Sequence, residues 1–200
     1  MTRDDAPGHV LVVGATGVLR PAAAELARRG HRVSALARRP GPLARLAREW
    51  GGAGGAARAR ARGRGRPGAG GAAAAPPPRP GPPAPGLPEL LAAARHAAGP
   101  FTGALLYCPD APAEAVAGLL RAVGTGGPAV LLLTSAWAAP GAGQPPFPAA
   151  RRLLLGWAAG PGGPRWHTPA EISAGALARF EGPPGDGLLG VVRPWAERPA

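Results

Sequence analysis

Residues 9–39 read HVLVVGATGVLRPAAAELARRGHRVSALARR, and this stretch decides the fold of the chain. Residues 9–13 are a short apolar run that leads directly into glycine, which predicts a buried strand of a parallel sheet. The alanine-rich residues 19–29 carry leucines at helical spacing, and Gly30 follows where a helix normally ends. Residues 32–37 predict a second strand. Strand, glycine turn, helix and strand together predict one right-handed βαβ unit.

The turn of this unit, with the sequence GATG, has the features of a phosphate-binding loop. Gly14 allows a sharp turn off the strand, and Gly17 allows the backbone to approach a pyrophosphate closely. The free N–H groups and the dipole of the following helix would face that anion. The sequence therefore predicts a dinucleotide site formed by Gly14, Ala15, Thr16, Gly17, Val18 and Leu19. The alternative is an ordinary βα turn whose glycines serve only the backbone geometry.

The end of the second predicted strand indicates which nucleotide fits this site. An NAD site usually carries Asp or Glu there, which holds the 2′-hydroxyl of the ribose. This chain instead has Arg38 and Arg39 and no acid. Because a guanidinium pairs with phosphate in a bidentate way, the sequence favours NADP over NAD as the cofactor. The competing explanation is that two arginines stand there because the whole chain is rich in arginine.

Residues 9–39 resemble the first βαβ unit of the short-chain dehydrogenase/reductase superfamily, in particular its small atypical Rossmann-fold NAD(P)-binding members. A second block, residues 165–173 (RWHTPAEIS), is similar to the C-terminal segment of those members. The resemblance covers residues 9–50 and 100–193. It implies an α/β fold of the Rossmann type, a three-layer, doubly wound parallel sheet.

The resemblance also implies where catalysis would lie. In typical members a serine follows the fifth strand, and a Tyr-x-x-x-Lys pair transfers the proton. Ser135 matches the serine position, but the chain contains no lysine, and its one tyrosine is Tyr107. A third glycine of the turn is replaced by Arg20. Ser135 and Tyr107 are therefore the candidate catalytic residues, and a non-catalytic NADP sensor that signals to a partner is the alternative to a dehydrogenase.

Residues 51–86 interrupt the domain with a sequence made only of Gly, Ala, Arg and Pro. Such a segment cannot bury enough apolar surface to offset the entropy of ordering it. The third strand, which the fold requires here, is therefore expected to be missing or degenerate. Two interpretations stay open, a flexible natural insertion and a frame-shifted stretch of the gene. A disordered leader is expected at 1–8, one domain over 9–193, and a tail at 194–200.

The remaining elements follow from periodicity and capping signals. Helices are predicted at 40–50, 88–98, 112–123 and 169–180, and strands at 103–108, 129–134, 151–157 and 188–192. Thr168 and Glu171 are spaced as a capping box. Because ligands bind at the carboxyl ends of parallel strands, we expect the site wall to include residues 14–19, Arg38, residues 107–112 and residues 135–137.

Composition narrows the class of protein. The 200 residues suffice for one α/β domain, and the single cysteine excludes an internal disulfide and fits a reducing cytoplasm. No apolar run is long enough to predict a membrane span. The net charge of +12 is carried by arginine alone, which a GC-rich coding bias explains. Nucleic-acid binding through residues 58–66 (RARARGRGR) is a weaker alternative, since no aromatic residues are interleaved there for base stacking.

Other candidate functional groups are predicted to be structural. Cys108 lies in a predicted buried strand and is expected to be inert. His167 precedes a helix cap and is expected at the surface. His9, His31 and His96 have no metal-ligand spacing, so no metal site is expected.

Overall fold

The computed structural model describes residues 7–37, 43, 45–46, 86–145, 147–148 and 150–199. Within these residues the chain forms a six-stranded sheet in which every pair of neighbouring strands is parallel. Its strands are β1 (His9–Val13), β2 (Arg32–Leu36), β3 (Gly103–Leu106), β4 (Ala129–Thr134), β5 (Arg151–Leu155) and β8 (Gly187–Leu189), in the spatial order β2-β1-β3-β4-β5-β8. A separate antiparallel pair consists of β6 (Trp157–Ala158) and β7 (Arg165–Trp166).

The predicted position of β1 inside the sheet is confirmed. Val10 lies opposite Val33 of β2 on one side and opposite Gly103 of β3 on the other, and both pairings are parallel. The reason is visible in the burial of β1, since Val10, Leu11 and Val12 are all fully buried. A strand that is apolar on both faces is stable only in the interior of a sheet that is covered on both sides.

The helices whose bounds lie within the described residues are α1 (Arg20–Arg28), α2 (Leu87–Ala98), α3 (Ala113–Val123) and α4 (Pro169–Glu181), and they cover the two faces of the sheet. Val10 and Val12 pack in one core cluster with residues of α1 and α4, and Leu11 packs in a second cluster with residues of α2 and α3. This alternation follows from the two-residue period of a strand. The predicted three-layer, doubly wound α/β fold is therefore confirmed.

The end of α1 is formed by Gly30, as its sequence position predicts. Gly30 has a left-handed φ of 89°, and its N–H donates to the carbonyl of Ala27 at 3.0 Å. The N–H of His31 donates to the carbonyl of Leu26 at 3.0 Å. These two bonds are those of a Schellman motif, which satisfies carbonyl groups that a helix end otherwise leaves unpaired.

The sequence predicts one strand over residues 151–157. This prediction is wrong in detail, because β5 ends at Leu155 and the strand is interrupted at Gly156. A Cβ atom at Gly156 would lie 2.1 Å from the carbonyl oxygen of Val191, so the backbones meet there at a distance that only glycine allows. Trp157 and Val191 then form an antiparallel bridge, with each N–H donating to the other carbonyl at 2.9 Å. The last strand is correspondingly shorter than predicted and ends at Leu189.

Several predictions fall on residues that the structure does not describe. Residues 1–6 of the expected leader, the segment 51–85 with its missing third strand, and Arg38 and Arg39 lie outside the described residues. Of the predicted helix 40–50, Leu43, Arg45 and Leu46 are described and helical, and both leucines are buried in the core. No described helix is long and apolar enough to cross a membrane.

Candidate functional site

A cavity of about 320 Å³ opens at the carboxyl ends of β1, β3, β4 and β5. This is the edge of a doubly wound sheet at which ligands bind. It is lined by Val18, Tyr107, Thr134, Ser135, Leu155, Gly156, Trp166, His167, Ile172 and Arg198. Three of the predicted site residues, Val18, Tyr107 and Ser135, are therefore brought to one cavity although they lie far apart in the sequence.

The turn after β1 requires glycine at its first position. Gly14 has a φ of 94°, and a Cβ atom there would lie 3.1 Å from the carbonyl oxygen of Tyr107 and 3.2 Å from its Cβ. The carbonyl oxygen of Gly14 accepts hydrogen bonds from the N–H groups of Gly17 at 3.1 Å and Leu19 at 3.2 Å. These bonds fold the turn tightly against β3 and bring the chain directly into α1.

Gly17 leaves an open face on the turn. A Cβ atom at Gly17 would meet nothing closer than the carbonyl oxygen of Gly14 at 4.0 Å, and Gly17 is exposed. The backbone N–H groups of Ala15, Thr16 and Val18 have no hydrogen-bond partner among the described residues. Unpaired backbone N–H groups on a turn that leads into a helix can bind an anion, and Thr16 and Val18 are both partly exposed. Ala15 and Leu19 are fully buried, and the N–H of Leu19 already donates to Gly14, so these two predicted residues present no exposed group to a ligand.

Helix α4 fixes the turn from the other side. The hydroxyl of Ser173, which is 2% exposed, donates to the carbonyl oxygen of Val18 at 3.0 Å. The start of α4 is held by the predicted capping box, in which Thr168 Oγ1 accepts from the N–H of Glu171 and the Glu171 carboxylate accepts from the N–H of Thr168. The position of the turn therefore depends on a helix that lies far away in the sequence.

Tyr107 lies just past the end of β3 and packs against Gly14. Its backbone N–H donates to the carbonyl oxygen of Val13 at 3.0 Å, which fixes the residue beside the turn. Burial, with a smaller contribution from the negative charge of Asp110, raises the pKa of Tyr107 above its ordinary value. The hydroxyl is therefore protonated at neutral pH and can donate a hydrogen bond to a ligand.

Ser135 begins the 3-10 helix Ser135–Ala138 directly after β4 and is 3% exposed. Its Oγ accepts a hydrogen bond from Nε of Arg198 at 3.3 Å. The guanidinium of Arg198 lies 4.8 Å from the ring centroid of Trp166 and 5.5 Å from that of Trp195. The last residues of the chain, expected as a tail, thus form the 3-10 helix Trp195–Glu197 and reach back to the cavity.

The prediction that His167 lies at the surface is wrong. Its side chain is 8% exposed and borders the cavity, because β7 and the cap of α4 hold the chain there. The ring packs on the backbone of Gly190, where a Cβ atom would lie 2.4 Å from Nε2. Neither ring nitrogen has a hydrogen-bond partner among the described residues, and Nδ1 lies 3.7 Å from Oε2 of Glu171.

Solved structures share this architecture over nearly the whole chain. A 3-oxoacyl-[acyl-carrier protein] reductase with bound NAD from Brucella melitensis has a TM-score of 0.63 and 16% identity, and the match covers 95% of this chain and 93% of that chain. A short-chain type dehydrogenase/reductase from Mycobacterium marinum has a TM-score of 0.58 and 15% identity, with coverages of 92% and 93%. For an actinorhodin polyketide ketoreductase with NADPH the values are 0.55 and 16%, with coverages of 94% and 96%.

The fold is that of the short-chain dehydrogenases/reductases. No family model matches the sequence, and no curated protein is similar to it. At these identities the likeness concerns the fold, which is the dinucleotide-binding Rossmann architecture.

Between β4 and β5, the described part of residues 135–150 contains one short 3-10 helix and otherwise irregular chain. The whole chain lacks lysine, so it has no Tyr-x-x-x-Lys pair. The hydroxyls that the cavity offers instead are those of Tyr107, Thr134 and Ser135.

Cys108 and the Arg165–Glu171 pair are outside the residues that line this cavity. Burial raises the pKa of Cys108 to about 11, so its thiol is protonated at neutral pH and a poor nucleophile, as the sequence predicts. Arg165 donates two hydrogen bonds to the Glu171 carboxylate at 2.8 and 2.6 Å, and this pairing holds the pKa of Glu171 well below its ordinary value. No group of His, Cys, Asp or Glu side chains within the described ranges is arranged to hold a metal ion.

Proposed function

We propose that this chain binds a nicotinamide dinucleotide across the glycine turn and the neighbouring cavity, and that it prefers NADP(H) to NAD(H). The observation that carries the proposal is the open backbone at Gly17 beside the unpaired N–H groups of Thr16 and Val18. A pyrophosphate needs both features, a backbone without a Cβ in the way and donors aimed at its oxygens. The residues present therefore fit the group.

The nicotinamide end of the nucleotide would lie in the cavity. Val18 joins the glycine turn to the cavity, and Tyr107 and Ser135 offer hydroxyl groups there. A bound nicotinamide supplies or accepts a hydride. Because Arg198 donates to the Ser135 oxygen, the Ser135 hydroxyl hydrogen is left to donate to a second group, and the protonated Tyr107 can donate likewise.

The preference for NADP rests on sequence position. Arg38 and Arg39 follow directly on Ala37, which is the last described residue after β2. Strand β2 is the parallel neighbour of β1, so its carboxyl end lies beside the glycine turn. An arginine at this strand end pairs with a 2′-phosphate, whereas an NAD site carries an acid there.

A second candidate is a non-catalytic NADP sensor. The absence of any lysine favours it, because the usual Tyr-x-x-x-Lys proton-transfer pair has no counterpart. The two candidates differ in whether bound NADPH is oxidised by carbonyl compounds. Sustained loss of NADPH absorbance with any carbonyl of a test panel supports the reductase, and binding without turnover supports the sensor.

Substitution at Gly17 tests the binding site itself. Gly17→Val should leave the fold intact, because the added side chain meets open space, and should abolish NADPH binding by covering the pyrophosphate position. Gly143→Val is the matched control, since Gly143 also has nothing within 4 Å but lies in the loop after β4. Titration calorimetry on wild type and both variants gives the result. If Gly17→Val binds NADPH as tightly as wild type, the glycine turn is an ordinary βα turn.

A further inference from the structure

We propose that the cavity takes a small organic acid and that Arg198 binds its carboxylate. This inference rests on the proposed function, in that the acid would lie beside the nicotinamide end of the nucleotide. It assigns a role to the end of the chain, which the nucleotide site itself does not use. Three observations support it: the contacts that position Arg198, the charges of the residues that line the cavity, and the apolar and polar side chains of the cavity walls.

The contacts of Arg198 position its guanidinium and leave two of its nitrogen atoms without a partner among the described residues. Its guanidinium lies on the rings of Trp166 and Trp195, and its Nε is taken by the Ser135 hydroxyl oxygen. Trp195 in turn packs edge-on against the fully buried Trp157, with ring centroids 6.1 Å apart. Nη1 and Nη2 of Arg198 have no hydrogen-bond or ion-pair partner among the described residues. A guanidinium fixed by aromatic faces has already lost much of the freedom that ligand binding would otherwise remove.

The described residues that line the cavity carry a positive charge and no negative charge. Among the described residues that line it, Arg198 alone carries a permanent charge, and none is acidic. Other arginines of the chain have carboxylate partners; Arg152 pairs with Asp186 and Arg165 with Glu171. A cation at the mouth of a partly apolar cavity attracts an anion and holds it more strongly than in open solvent. The site therefore selects a ligand with one negative charge.

The other residues that line the cavity indicate the chemical character of the ligand apart from its carboxylate. Val18, Leu155 and Ile172 present apolar side chains, which suit a short carbon chain. The hydroxyls of Tyr107 and Ser135 suit a carbonyl or hydroxyl oxygen. A guanidinium fork fits the two oxygens of a carboxylate, and the described residues that line the cavity include no second permanent cation to balance a doubly charged group. The ligand class is therefore a small oxo acid or hydroxy acid.

Tryptophan fluorescence of the full chain tests this assignment, because Trp166 and Trp195 touch the guanidinium. The probes are lactate and 3-hydroxybutyrate, each compared with its uncharged amide. We expect saturable binding of at least one acid, tighter than that of its amide by about tenfold or more. Arg198→Gln should remove this preference, and Arg198→Lys should keep part of it, because the charge remains. Arg121→Gln, which removes an exposed charge on α3, should leave the preference unchanged.

Calorimetry with NADPH on the same variants separates this proposal from the proposed function. If neither acid binds, with or without saturating NADPH, or if acid and amide bind equally, the carboxylate assignment is wrong while nucleotide binding can still stand. If Arg198→Gln weakens NADPH binding but keeps the preference for acid over amide, Arg198 serves the nucleotide and the carboxylate assignment is also wrong. Absence of NADPH binding by wild type would overturn the proposed function.

Discussion

The hydroxyl of Ser173 donates a 3.0 Å hydrogen bond to the carbonyl oxygen of Val18. The two residues are 155 positions apart, and the bond joins α4 to the glycine turn after β1. Val18 and Ile172, the residue before Ser173, both line the cavity. The bond therefore ties the first βαβ unit to the C-terminal block RWHTPAEIS at the place where the nucleotide is proposed to bind.

Ser173→Ala should weaken both the fold and nucleotide binding. Loss of the hydroxyl leaves a partly buried carbonyl without this partner, which should lower the free energy of unfolding by about 1 kcal/mol. The turn would also be free to shift, and we expect NADPH to bind roughly tenfold more weakly. Denaturant unfolding and calorimetry measure the two effects. Ser34→Ala is the control, because it removes a hydroxyl that contacts Nε2 of His9 at 2.8 Å, away from the turn. A similar stability loss without loss of affinity in Ser173→Ala would show that the turn does not depend on α4.

Thr168→Ala should destabilise the chain by about 1 kcal/mol, because it removes the side chain that caps α4. In a chain of this size the loss corresponds to a fall in melting temperature of about 2–4 °C. Thr168→Ser keeps the oxygen that accepts from the N–H of Glu171 and should melt close to wild type. Equal melting temperatures for Thr168→Ala and wild type would mean that the cap contributes nothing measurable.

The stability of the fold should fall as the pH drops below about 6.5, because of His9. This side chain is buried; its Nδ1 is 2.7 Å from the carbonyl oxygen of Gly99 and its Nε2 is 2.8 Å from the hydroxyl of Ser34. One neutral tautomer satisfies both contacts, since Nδ1–H donates to the carbonyl and Nε2 accepts from the serine.

Burial, and to a lesser degree the positive charge of Arg32, lowers the pKa of His9 below 6.5, although the bond to Gly99 opposes this. The unfolded chain therefore takes up a proton at a higher pH than the folded chain, and protonation favours unfolding. Urea unfolding between pH 7.5 and about 5 should show this decline, and His9→Asn should flatten it relative to its own starting stability. The exposed His96→Asn is the control and should keep the wild-type slope. A wild-type slope in His9→Asn would assign the acid sensitivity to other groups.

Local sequence patterns were sufficient to predict most of the sheet. The apolar run of β1, the left-handed Gly30 and the spacing of Thr168 and Glu171 each specify a local structure with few alternatives. The parallel pairing of β1 with β2 and β3 followed from the need to bury apolar strands on both faces. These features depend on residues close together in the chain, so a single sequence reveals them.

The features that the sequence did not reveal depend on long-range contacts. Nothing around Gly156 indicates that the backbone of Val191 approaches it closely enough to interrupt a strand. His167 has a polar neighbourhood in the sequence and becomes buried only because the ring packs on Gly190. Arg198 lies in a stretch that resembles a tail, and its contact with Ser135 forms across 63 positions. Only Trp195, near the chain end, was a signal that this segment packs.

The most direct measurement of the central proposal is a calorimetric comparison of NADPH and NADH on wild type, Arg38→Asp and Arg95→Asp at one fixed salt concentration. A charge-assisted contact between Arg38 and the 2′-phosphate should contribute about 1.5–3 kcal/mol, so wild type should bind NADPH about tenfold to hundredfold more tightly than NADH. Arg38→Asp should abolish or reverse that preference, and Arg95→Asp, with the same charge change on α2, should keep it. Equal affinities in wild type, or tighter binding of NADH, would contradict the role of Arg38, and binding of neither nucleotide would contradict the site as a whole.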